Sequence, residues 1–113
     1  MGHWGTEPWA NDPAADWYEA FFRSTQLAEH IELTLTLDIN EHCDEVRAAA
    51  YVLLFLGRHE IWPDDSRKRC LSIAVDQLRK ALETELFTNP DIIKQVQGEI
   101  RLLKIRLQSA PTE

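Results

Sequence analysis

Ile31-Glu32-Leu33-Thr34-Leu35-Thr36-Leu37-Asp38-Ile39 alternates apolar and polar residues without a break, which is the period of a half-buried strand. The fold class turns on whether it is one. No other part of the chain alternates in this way, so a strand here lacks a partner within the chain for its backbone N–H and C=O groups. Burying those groups unpaired costs too much. Two solutions remain: a strand paired across a homodimer, or a helix that runs on from the preceding residues with a break nearby. The pairing argument favours helix, and with it an all-α chain.

Upstream, residues 1–11 hold Trp4, Trp9, two glycines and Pro8, an aromatic arm that cannot form one continuous helix. Asn11-Asp12-Pro13 then starts a helix. Asp12 is placed to accept from the free amides of the first turn, Pro13 suits the first helical position, and Asp16 adds charge at the positive end of the helix dipole. Ala14, Trp17, Phe21, Ala28 and Ile31 fall on one stripe, widened by Tyr18 and Phe22, and predict a first helix over 13–35.

Downstream, Asp38 with Glu41 has the shape of a capping box, and Asp44 and Glu45 continue an acidic first turn. The helix predicted over 40–57 buries Val46, Ala49, Ala50, Leu53 and Leu56. No side chain between Ala48 and Leu56 is charged, so this helix is expected to be surrounded by the others, with Gly57 as a left-handed stop. Ile61-Trp62-Pro63 forms an apolar plug in a loop. Asp65 or Ser66 caps a third helix, 66–87, with Leu71, Ala74, Val75, Leu78, Leu82 and Leu86 inward. Asn89-Pro90 opens a fourth, 90–108, whose Ile93, Val96, Ile100, Leu103 and Leu107 have bundle-seam spacing. The expectation is a four-helix, bundle-like single domain spanning 1–113 with an irregular N-terminal arm.

A chain of 113 residues with 44% hydrophobic and 27% charged content carries one core without staples. The opening residues lack a basic-then-apolar leader, and the ten-residue stretch from Ala48 to Gly57 is about half the ~20 residues needed to cross a bilayer. No membrane partner is expected. Met1-Gly2 with Thr6 fits the loose myristoylation pattern, but no polybasic stretch follows to supply a second anchor, and coincidence is the preferred reading. Cys43 and Cys70 are too few for a disulfide scaffold and read as reduced thiols of a cytoplasmic protein.

Catalytic constellations fail one by one. A di-iron bundle site needs Glu-x-x-His, and Leu27, Ile39 and Leu56 stand where His30, His42 and His59 would require glutamate. Adjacent His42 and Cys43 point about 100° apart on a helix, so no metal site is expected. No nucleophile elbow surrounds a serine or cysteine, and no glycine-rich loop cradles a phosphate, so neither a catalytic set nor a cofactor is expected. His59-Glu60 is the best exposed acid–base pair, though a loop histidine beside a glutamate is more often simply solvated.

The charges are distributed unevenly. Residues 1–65 carry thirteen acids and three bases, a net of −10, and residues 66–113 carry six acids and nine bases, a net of +3. Such a split steers association, argues against nucleic acid and favours a basic protein as partner. Asp38, Glu41, Asp44 and Glu45 are the candidate partner-binding set. Arg67-Lys68-Arg69 is an odd basic run at a helix start, best explained by pairing with Asp64, Asp65 or the acidic half of its own chain.

The head Met1-Gly2-His3-Trp4-Gly5-Thr6, followed by Asn11-Asp12, Ala14-Ala15 and Asp16-Trp17, resembles the start of a bacterial family of unknown function. Its members open Trp-Gly-x-Gly-x-Phe-x-Asn-Asp-x-Ala-x-Asp-Trp/Phe. The likeness continues more loosely through Glu45 to Leu56 and Ala74 to Leu82. This chain departs from it with Glu7, Trp9 and Pro13. The resemblance implies a small helical bacterial protein and no particular activity. Trp4, Gly5, Asn11, Asp12, Asp16 and Trp17 would act structurally, with Trp4 and Trp9 folding back over Trp17 and Phe21 as a clasp. The functional expectation is a non-enzymatic binding protein whose acidic half docks a basic one, such as an immunity protein or inhibitor covering a toxin. The alternatives are a ligand-binding or enzymatic domain at His59, Glu60 and the tryptophans, or a structural homodimer through 31–39 or the Ile93–Leu107 seam.

Overall fold

The computed structural model describes residues 5, 6 and 8–108. They form five helices: α1 (Asp12–Thr25), α2 (Leu27–Leu35), α3 (Ile39–Leu56), α4 (Asp64–Glu83) and α5 (Pro90–Gln108). No strand occurs among the described residues, and the all-α, bundle-like expectation holds.

The alternating segment is helix up to Leu35. Ile31 and Leu35, four apart, are buried, and Ile39 follows them into the core at the start of α3. Leu33 is 70% exposed and Leu37 is also exposed. The apparent strand period was a buried i, i+4 pair with leucines interleaved on the outside. The turn between α2 and α3 is held by Gln77 of α4, whose Nε2 donates to the carbonyls of Leu35 and Leu37 at 2.7 and 2.8 Å.

The predicted first helix is two. At Gln26 the backbone turns left-handed, with φ 52°, and α1 ends there with the Gln26 N–H bonded to the Phe22 carbonyl. Among the described helices, the backbone of α1 comes close only to that of α2, while Glu19, Phe22 and Arg23 line one pocket with Asp65, Ser66 and Arg69 of α4. The break also changes the inward stripe. Phe22, not Trp17, is the buried residue of α1, and it meets the edge of the Trp62 ring at 5.0 Å between centroids. Asn11, rather than Asp12, caps α1, its Oδ1 accepting from the Ala14 N–H at 2.9 Å, while Asp12 is the first helical residue.

Helices α3, α4 and α5 form the centre. Arg47 of α3 reaches Glu99 of α5, and Arg106 of α5 reaches the Leu54 carbonyl of α3, so these two helices run parallel. Arg67, at the start of α4, touches the ends of both, so α4 runs antiparallel between them. Val46, Leu53, Leu71, Leu78, Val96 and Leu103 fill the shared core. The Ile93–Leu107 seam therefore turns inward, with Val96, Ile100 and Leu103 buried and Ile93 and Leu107 packed against the core.

Three local expectations change. Gly57 ends α3 at φ −79°, not in the left-handed region; a Cβ there would collide with the Leu53 carbonyl oxygen, so close approach is what demands glycine. α4 begins at Asp64 and stops at Glu83. Ser66 does not cap it: its Oγ accepts from the Trp62 indole at 3.0 Å and secures the buried plug. α3, finally, is not surrounded. Tyr51 and Phe55 are 49% and 61% exposed, so the uncharged run forms an open apolar face.

Candidate functional site

The acidic set occupies the first half of α3. Asp38 is the N-cap, its Oδ1 accepting from the Asn40 N–H at 3.0 Å. Glu41, Asp44 and Glu45 are exposed, on either side of a kink at His42, whose φ and ψ are −130° and 32°. Glu45 lies 3.7 Å from the His42 Nδ1, and Asp44 accepts a long contact from the Cys43 thiol at 3.9 Å. Among the described residues no lysine or arginine forms a salt bridge with any of the four carboxylates.

Arg47 explains why. It is the sole arginine or lysine between Arg23 and Arg58, and although it lies near enough to Asp44 to feel that charge, its hydrogen bonds go to α5. Its Nε and one terminal nitrogen grip the two oxygens of Glu99 at 3.0 and 2.8 Å, and it sits over the Phe87 ring. The hydrogen-bonded Glu99 carboxylate holds the guanidinium more firmly charged than usual, with burial opposing and Asp44 adding a minor pull. The cation best placed to neutralise the set thus gives its hydrogen bonds to α5 and reaches only Asp44, through its charge.

Elsewhere the acidic half is partly neutralised. Arg69 clasps Glu32 with two bonds of 2.6 and 2.9 Å, keeping that carboxyl below the ordinary glutamate range. Glu19 pairs with Arg23, and Glu60 with Arg58. Two members of the basic run are likewise accounted for: Arg69 serves Glu32, in line with pairing to the acidic half, and Arg67 is buried between helix ends.

The His59-Glu60 pair borders an apolar groove of about 530 Å³ between α3 and α5, beside Tyr51, Phe55, Leu102 and Ile105. His59 Nε2 lies 3.4 Å from Glu60, whose other oxygen accepts from Arg58. Trp62 does not join this site, because it is buried in the core. Trp9 lies beneath the Arg58 guanidinium, 4.7 Å from it, rather than over Trp17. Trp17 is 60% exposed and stacks on Phe21 at 5.2 Å, so the Trp9 side of the expected clasp does not form. Gly5 and Asp16 are exposed, and Trp4 lies outside the described residues.

Neither cysteine is prepared to act as a nucleophile. Burial pushes the Cys70 thiol up to about 11, with Glu32 adding to the shift and Arg69 opposing it. Cys43 is also raised, by burial and then by Asp44. Among the described residues no three metal-ligating side chains cluster, and no helix is long and apolar enough to cross a membrane.

Sequence reasoning located the acids but missed the groove. The signal was the uncharged run of α3 facing Leu102 and Ile105, which lie on the side of α5 away from its seam. Compared with protein-family models, curated proteins and solved structures, the chain matches none of them.

Proposed function

We propose that this chain is a non-enzymatic binding protein whose α3 acidic end docks a basic protein. The observation that carries the reading is the set Asp38, Glu41, Asp44 and Glu45, left without an arginine or lysine partner while Arg47 is held by Glu99. Exposed carboxylates without a salt-bridged lysine or arginine keep much of their field for an approaching partner, which accelerates encounter and rejects acidic competitors. An immunity protein or inhibitor that covers the cationic site of a toxin is the most concrete form of this function. The resemblance of the head motif to a bacterial family is compatible with it.

The test is affinity capture by the wild-type protein, followed by titration of the purified captured protein against wild type and a Glu41→Lys, Asp44→Lys, Glu45→Lys triple variant. A basic partner bound at least about thirtyfold more weakly by the triple variant is the expected result. A partner indifferent to the three reversals would overturn the reading.

The groove beside His59 and Glu60 favours a second reading, a site for a small apolar ligand, since such sites are concave, apolar and bordered by a few polar groups. A thermal-shift screen with metabolites tests it. A ligand whose shift disappears in His59→Ala would favour this reading over the first.

A further inference from the structure

The open face between α3 and α5 has a polarity that the basic-partner reading does not use. Along α3, Asp44, Ala48, Tyr51 and Phe55 follow one another at helical spacing on the exposed side, and Arg58, two residues beyond the helix end and hydrogen-bonded to Glu60, borders the face at that end. Along the parallel α5, Leu102 and Ile105 flank Tyr51 and Phe55, 50% and 54% exposed. The face is acidic at one end, apolar and aromatic in the middle, and at the other end carries Arg58, His59 and Arg106 against Glu60. We infer that this face is the contact surface of a twofold dimer of the chain itself.

The spacing supplies the argument for a second copy. Asp44 and Arg58 each lie seven residues from Tyr51. A twofold axis crossing the helices near Tyr51 sends the chain antiparallel over itself and brings Asp44, about 10 Å to one side, towards the end of the partner's face that Arg58 and Arg106 border. Both ends of the interface gain the same complementary pairing, as a self-complementary surface requires. The apolar middle then meets its own copy. Tyr51, Phe55, Leu102 and Ile105 together expose apolar surface on the order of 450 Å², comparable to the largest patch a monomer ordinarily leaves open. With the charged rim this approaches the roughly 800 Å² per partner of a standard interface. Tyr51 and Phe55 already meet edge to face at 4.9 Å, giving the centre a rigid aromatic anchor. A basic partner and the second copy would compete for Asp44.

The test needs only the purified chain, so its outcome is separate from that of the basic-partner titration. Sedimentation equilibrium up to about 100 μM, a concentration that populates micromolar dimers, is expected to show a monomer–dimer equilibrium. Phe55→Asp and Leu102→Asp each raise the dissociation constant at least about thirtyfold while leaving the melting temperature near wild type, because both side chains face outward. Asp44→Lys weakens the dimer and makes it less sensitive to salt. A wild-type chain that stays monomeric throughout overturns the inference. So does a dimer untouched by the two aspartate variants, or one strengthened by Asp44→Lys, which would place acidic end against acidic end.

Discussion

The Arg67 guanidinium donates from Nε to the Gly57 carbonyl at 2.9 Å, from inside the protein. The same group donates to the Arg106 carbonyl at 2.7 Å. One side chain from the start of α4 therefore serves carbonyls at the C-terminal ends of α3 and α5. These are the positions where a helix leaves its acceptors unmatched and its dipole is negative. A planar, always-charged fork suits the task. What reads in the sequence as a basic patch at the wrong end of a helix is a cap for two neighbouring helices.

Removing that fork leaves buried carbonyls unpaired. Arg67→Met is expected to destabilise the fold by about 2–4 kcal/mol. Arg67→Lys should recover only part of this, since a single ammonium cannot span both acceptors in the same geometry. Urea denaturation of the three proteins checks the order; equal stability of Arg67→Met and wild type would refute the capping account.

The bend at Gln26 places a residue with a side chain in a conformation that favours glycine. Gln26→Gly should stabilise the protein by about 0.5–1 kcal/mol, and Glu85→Gly, at φ 58° after α4, should do the same. Gln26→Val should lose stability, because a β-branched side chain tolerates that backbone least. Thermal melts of these variants decide the matter.

Glu32 gives the pH dependence its sign. Its folded carboxyl is held low, first by the Arg69 hydrogen bonds, with burial opposing them, so folding favours the deprotonated form. That contribution is complete above the unfolded glutamate pKa and disappears as pH falls through the lower folded value. Carboxylate NMR titration should find Glu32 below the ordinary glutamate range. In Arg69→Ala it should move upward; an unchanged titration would remove Arg69 as the cause.

The thiols should separate in reactivity. Cys70 is fully buried and pushed up to about 11, so at pH 8 it should resist an aromatic disulfide reagent until the protein unfolds. Half-buried Cys43 should react first. Two fast equivalents from the native protein would contradict the packing around Cys70.

Most of the helical frame was legible in the sequence. The seam of α5 and the inner stripe of α4 repeat at helical spacing and enter the core as expected, because long regular periods survive tertiary packing. Asp38 also caps α3 as its chemistry suggests. The break at Gln26 was hidden because glutamine is not a residue that announces a left-handed turn. Its concealment carried the reading of Trp17 as buried with it, since α1 ends at Gln26 as a separate helix whose buried residue is Phe22. The uncharged run of α3 was legible as apolar but not as open. Composition cannot distinguish a helix enclosed on all sides from one whose aromatic side faces solvent. Arg47 shows the same limit for the site: sequence places it among the acids, and only the α3–α5 packing reveals that it serves Glu99.

The central claim is that the acids of α3 are a docking surface, and amide chemical-shift mapping tests it most directly. The ¹⁵N-labelled protein would be titrated with its purified basic partner at low and high salt. The account predicts perturbations centred on Asp38, Glu41, Asp44 and Glu45 that weaken as salt rises. Shifts confined to α4, or binding indifferent to salt, would contradict it.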